Sequence, residues 1–201
     1  METPYRQIRA CYDSSVIRVY QAYSREIADK ALEKGTFVSP PFRLERMTWI
    51  KPSFLWMMYR SGWGLKDAGQ ERILAIDMTR EGFEWALKHS CLSHAPAEFQ
   101  ERKDGLDYKS RFPVRIQWDP ERDLTLSPLE YRAIQMGLSG EAVTRYVGDW
   151  IRTITDVTPL AKSVHELVQK GSVDDARKLL PLERPYPVDQ ELSDLLGMNV
   201  V

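Results

Sequence analysis

The chain has 201 residues, of which 43% are hydrophobic and 28% charged, with a formal net charge of −1. That length supports a buried core without staples, and the near-neutral balance excludes a nucleic-acid binder driven by bulk charge, leaving only a local basic patch. Two cysteines, Cys11 and Cys91, are too few for a disulfide framework, and no signal-type core or long apolar run occurs, so a cytoplasmic protein without a membrane span is expected.

In chain order, "SVIRVYQAYS" alternates Val16, Arg18 and Tyr20 against Ile17, Val19 and Gln21 and reads as a strand. Ser24 is placed to cap a helix over "REIADKALEK", and Gly35 to stop it. "TFVSPPFRLER" is a loop because Pro40 and Pro41 do not fit a regular ladder. "RMTWI" is a short strand, followed by Lys51 and by Pro52 at the first position of a helix over "SFLWMMYR". That helix is apolar nearly all round, so it should be buried, and the glycines at 62 and 64 end it.

"ERILAIDM" reads as a central strand, and Thr79 as the cap of a helix over "REGFEWALKHS". Residues 93–112 are polar and irregular, a surface excursion. "PVRIQWDP" sets Val114, Ile116 and Trp118 against Arg115 and Gln117, and "YRAIQMGL" sets Ile134, Met136 and Leu138 against Arg132 and Gln135. Ala142, Val143, Tyr146, Val147, Trp150, Ile151 and Ile154 then follow helical spacing, predicting one long helix after Ser139. Further helices are expected from Thr158-Pro159 to Gly171 and over "VDDARKLL", before a proline-bearing tail with an apolar turn at Leu192, Leu195 and Leu196.

Strands and helices mix without a βαβ rhythm. The fold class is therefore α+β, with a mixed or antiparallel sheet, flanking helices and a helical C-terminal third. The domain reading is a single α+β domain over 1–157, with a helical extension and tail over 158–201 packed on it.

Common catalytic signatures are missing. "SGWGLKDAG" has the wrong spacing for a phosphate loop, and no G-x-S-x-G elbow occurs. "HSCLSH" brings His89, Cys91 and His94 together without an evident fourth ligand, so no metal is expected. What remains is a set of polar residues in apolar settings: Gln21, Lys51, Arg60, Arg115, Gln117, Arg132 and Gln135. Each alone is more readily a solvent-facing residue; together with six tryptophans they suggest a pocket with a few placed polar groups. A buried cation at Lys51 or Arg60 needs an anion, which is either a carboxylate such as Asp77 or a ligand phosphate.

The blocks "VYQAYSREIADKA", "RMTWIKPSFLWMMYRSGWG", "VRIQWDPERD" and "RAIQMGLSGEAVTRYVGDWI" resemble those of the domain-of-unknown-function family numbered 4291, over roughly residues 5–157. More distantly, the strand–helix unit at "VYQAYS" and the aromatic strand at "RMTWI" resemble ADP-ribosyltransferase folds. That resemblance implies an NAD site with Gln21, Trp49 and Gln135 at the three motif positions. Gln21 departs from the histidine or arginine of that pattern and Gln135 from its glutamate, which removes the negative charge expected there; Glu130 and Glu141 flank the strand.

Two functional readings follow. In the first, the protein is an ADP-ribosyltransferase-like enzyme using NAD, with Gln21 and Gln135 catalytic and Tyr20, Tyr23, Trp49, Lys51 and Arg60 holding the nucleotide for transfer to a protein or nucleic-acid acceptor. In the second, it binds RNA without chemistry, Arg111, Arg115 and Arg132 tracking phosphates beside Gln117 while Tyr108 or Trp118 stacks a base. A third reading makes the aromatic helix simply core and the C-terminal helices a docking arm.

Overall fold

The computed structural model describes residues 3–93 and 111–198. A two-residue strand, β1 (Arg9–Ala10), precedes β2 (Val16–Tyr23), whose alternation points Ile17, Val19 and Gln21 one way and Arg18 and Tyr20 the other. α1 (Arg25–Lys34) buries Ala28 and Ala31 and is stopped by Gly35, which takes a φ of 70°. β3 (Thr48–Ile50) leads into α2 (Phe54–Ser61). This helix begins later than Pro52: Ser53 is its cap, accepting the Trp56 N–H at 3.1 Å. β4 (Arg72–Thr79) follows, and the Thr79 hydroxyl accepts the Gly82 N–H to open α3 (Arg80–Lys88), as its position predicts.

β5 (Ser90–Leu92), β6 (Val114–Arg122) and β7 (Pro128–Leu138) come next; most of the 93–112 excursion, including His94 and Tyr108, lies outside the described residues. The long helix expected after Ser139 is not formed. α4 (Glu141–Arg145) runs into a π turn at Tyr146–Trp150, and the chain then extends as β8 (Ile151–Asp156). Ile151, Thr153, Ile154 and Thr155 are β-branched, and they pair with β4 in the antiparallel register Ile76↔Ile154. This satisfies the open edge of a buried strand, which a continued helix would leave bare. α5 (Thr158–Gln169), α6 (Val173–Leu179), β9 (Arg184–Pro185) and α7 (Gln190–Leu195) complete the chain.

Among the described residues the strands form three small sheets, ordered β2-β4-β8, β3-β7-β6-β5 and β1-β9. All pairs are antiparallel except β5 with β6. The fold is thus α+β. A backbone bridge, Tyr20 N–H to Lys51 C=O at 2.7 Å, joins the first two sheets just past the end of β3. Two apolar clusters flank this seam. One holds Ile17, Val19, Ile76, Met136 and Tyr146; the other holds Tyr20, Phe54, Met58 and Trp63 with Ala161 of α5 and Ala176 of α6. Among the described residues, no helix is long and apolar enough to cross a membrane.

Strand parity corrects one expectation. Arg132 shares a face with Ile134 and Met136, not with Gln135, and its Nε–H donates to the Tyr5 hydroxyl at 2.9 Å.

Candidate functional site

The sheet order β3-β7-β6 lays short rows of side chains across one face. Trp49 of β3 stands opposite Gly137 of β7, which stands opposite Arg115 of β6. Gln135 stands opposite Gln117, and continuing the register one residue past Ile50↔Met136 brings Lys51 level with Gln135. Gly137 is required here by contact. A Cβ on it would lie 2.7 Å from Met47 Sδ and 3.0 Å from both Cε2 and Cη2 of Trp49, so the indole rests directly on the backbone.

Asp119, two residues along β6 from Gln117, ties this floor together. Its carboxylate accepts from Gln117 Nε2 at 2.9 Å and from Gln135 Nε2 at 2.5 Å. The acid beside Gln135 is therefore Asp119 rather than Glu130 or Glu141; Glu141 pairs instead with Arg145.

Gln21 of β2 forms the adjoining wall and is buried. Its Nε2 lies 2.7 Å from Thr48 Oγ1, 2.9 Å from the Tyr23 hydroxyl and 3.2 Å from the Trp49 carbonyl, while its Oε1 accepts from the Tyr146 hydroxyl at 2.9 Å. Every hydrogen-bonding atom of this amide is engaged by the protein, so Gln21 holds Thr48, Tyr23 and β3 in place. Burial pushes the Tyr23 phenol up to about 12, against hydrogen bonds from Thr48 and Gln21.

Lys51 is 5% exposed, and its Nζ donates to the Trp49 carbonyl at 3.1 Å with the Trp56 ring 5.5 Å away. No described carboxylate forms an ion pair with it. Burial pushes its amine down to about 7; the charge of Arg60 adds to that fall and Asp119 opposes it. The expected protein anion is not supplied by Asp77, which takes Arg18 instead at 2.7 and 2.8 Å across the Arg18↔Asp77 pair of β2 and β4. Arg60 departs from the expected buried cation: it is exposed, at the end of α2, and its Nη1 donates to Gln70 Oε1 at 3.3 Å.

These groups face a single cavity of about 850 Å³, within the range that takes a nucleotide-sized ligand. Of the residues singled out from the sequence, Gln21, Tyr23, Trp49, Lys51, Arg60, Gln117 and Gln135 line it. Three do not. Tyr20 points to the opposite face of β2 and packs edge-on against Phe54. Arg115, across Gly137 from Trp49, is tied down at the far side of that row, its Nη1 donating to the Phe112 carbonyl at 2.8 Å. Arg132 stacks over Tyr5 on the other face. Trp118 is also withdrawn from any stacking role, because its Nε1–H donates to the Leu196 carbonyl at 2.9 Å.

Sequence reasoning missed Asp119, Thr48, Arg43 and Arg46. Asp119 carries the signal of an acid two residues beyond Gln117 in a strand. Arg43 and Arg46 sit in the loop before β3 and, among the described residues, bring the cavity lining to four cations against two carboxylates, Glu26 and Asp67.

The family model described as Domain of unknown function (DUF4291) matches residues 7–186. The chain belongs to this family. Membership in DUF4291 covers the cavity and the cluster around Tyr20, Phe54 and Trp63, and it extends past residue 157, where the resemblance in the sequence stops, through α5 and α6 to Tyr186. No curated protein matches this DUF4291 chain.

Proposed function

We propose that the cleft of this DUF4291 protein binds a nucleotide of the NAD type and that the protein is an ADP-ribosyltransferase-like enzyme acting on a protein or nucleic-acid acceptor. The observation that carries the reading is convergence. β2, β3, α2, β6 and β7 each send a side chain into one cavity, the Trp49 indole among them, and it also takes Lys51, a buried amine with no carboxylate partner among the described residues, and the loop arginines Arg43 and Arg46. An anion over Lys51 would supply the charge that the described residues do not, and the Trp49 indole offers a face for a flat ring.

The residues present fit such a ligand by size, charge and shape. NAD brings an ADP-ribosyl group on a nicotinamide leaving group. In this reading Lys51, Arg60, Arg43 and Arg46 hold phosphates, Trp49 orients a ring, and Gln21 positions the wall. Gln135 offers no charge itself, but it is bonded to Asp119, whose carboxylate is the negative charge nearest the motif position and would favour a developing cation there. The RNA-binding alternative loses its continuous track, since Arg115 and Arg132 lie apart from the cleft.

A thermal-shift titration with NAD, ADP-ribose, ATP and a short RNA tests the proposal. A ligand that binds only the folded state at about 100 times its Kd adds about 2.7 kcal/mol of stability. Stabilisation by NAD or ADP-ribose, lost in Lys51→Ala, is the expected outcome. Stabilisation by RNA alone would shift the assignment to the nucleic-acid reading, and no shift with any ligand would defeat both.

A further inference from the structure

The cleft floor carries a hydrogen-bond polarity that restricts what can sit on it. Gln117 and Gln135 are direct cross-strand partners, and both turn their amide nitrogens to the same carboxylate, at 2.9 and 2.5 Å from Asp119. An ionised carboxylate accepts and does not donate, so Asp119 sets the orientation of both amides. Reversing either one would face oxygen against oxygen. The two Oε1 atoms are left over, and no described residue donates to them. Gln135 is only 9% exposed, and both side chains line the cavity. The second N–H of each amide lies beside the Asp119 charge, where an electron-rich ligand atom would be repelled. The floor beside Trp49 is thus a pair of acceptors backed by an anion.

From this geometry we infer that the ring held against Trp49 carries an exocyclic amino group, donated to the carbonyl oxygens of Gln117 and Gln135, and that the site rejects rings with an oxo or carboxylate group at that place. The inference rests on the nucleotide reading and adds the class of base or carboxamide the cleft selects. Leaving these two acceptors unmet, one of them on a side chain only 9% exposed, is the penalty that gives the selection its strength. Asp119 acts here as a positioning residue, since it fixes which amide atoms face the ligand without itself meeting the ring.

The test compares NAD with two analogues, each lacking one amino group: the dinucleotide with hypoxanthine in place of adenine, and the one with nicotinic acid in place of nicotinamide. Affinities are measured by calorimetry at one pH and salt concentration. One of the two should bind at least about tenfold more weakly than NAD, that analogue marking the ring that rests on Trp49. In Asp119→Asn the side-chain amide can donate, the two glutamines are free to turn, and the discrimination should shrink to within about threefold. Gln135→Met keeps the length of the side chain, removes its acceptor and should do the same; it carries the decision if Asp119→Asn does not fold by circular dichroism. Equal binding of NAD and both analogues by the wild type overturns this inference while leaving the nucleotide reading intact. A preference that survives in the folded variants also overturns it. Failure of all three dinucleotides to bind removes the nucleotide reading and this inference together.

Discussion

The indole of Trp49 rests on the bare Cα of Gly137, so closely that a methyl group there would stand 3.0 Å from two of its ring carbons. Met47 Sδ would be nearer still, at 2.7 Å. The thioether can swing aside, but the β3–β7 ladder keeps the Trp49 backbone from backing away from Gly137, so the indole itself must move. Gly137→Ala should therefore tilt Trp49 into the cavity, cost about 1–3 kcal/mol of stability and abolish ligand stabilisation at the same time. Chemical denaturation with and without NAD reads both effects. An alanine variant with unchanged ligand affinity would show that Trp49 is wall and not platform.

Gln21 links four partners through one buried amide, and its removal strands the Tyr146 hydroxyl in the apolar interior. Gln21→Ala should lower stability by about 2–3 kcal/mol, read as a shift in the denaturation midpoint at constant slope. A loss of activity with no loss of stability would instead give Gln21 a direct chemical role.

The same residues mark what the sequence made legible and what it hid. β2, α1, β4 and α3 are readable because their alternation, caps and glycine stop are local signals. β8 is hidden because Ile151 and Ile154 satisfy the helical period of Ala142, Val143 and Tyr146 while also meeting the needs of a strand. Only the vacant edge of β4 decides between them. The convergence of Lys51, Gln117 and Gln135 was legible as residue types but not as a row, since a row depends on register. Register likewise gives Asp77 to Arg18 rather than to Lys51, and brings Asp119 to Gln135. Arg132 lies on the opposite face of β7 from Gln135, as counting by twos along the strand shows.

Glu183, just before β9, reaches back to α2 and accepts the Phe54 N–H at 2.7 Å through Oε1. Burial pushes its carboxyl up to about 8, with Glu121 adding to the rise and the Phe54 N–H and Arg9 opposing it. A raised acid holds its proton in the folded chain after the unfolded chain has released it. Its stabilisation is thus complete below the ordinary carboxyl range and is lost as pH rises towards 8. Glu183→Gln keeps an oxygen for Phe54 and does not titrate. The melting temperature of the variant should gain on the wild type steadily between pH 5 and 8, and parallel curves would contradict this account.

Ala161, Val164 and Ala176 complete the apolar cluster that holds Phe54, Met58 and Trp63. A chain ending at residue 157 would expose that cluster behind α2, the helix that carries Arg60 to the cleft. Such a truncation should lose its cooperative thermal transition, measured by near-ultraviolet circular dichroism. A sharp transition in the truncated chain would make α5 and α6 an accessory.

The most direct test of the central claim is calorimetric titration of NAD at pH 6 and pH 8.5, into the wild type and Lys51→Met. The Lys51 amine, lowered to about 7 by burial, is charged at the first pH and largely neutral at the second. An anion over it draws the proton back, so affinity should fall about tenfold per pH unit above 7 in the wild type, towards the affinity of the variant. Lys51→Met should bind weakly and almost equally at both pH values. One-site binding that weakens with pH only when Lys51 is present would bear out the cleft as a nucleotide site. Absence of binding at pH 6, or binding indifferent to both pH and Lys51, would contradict it.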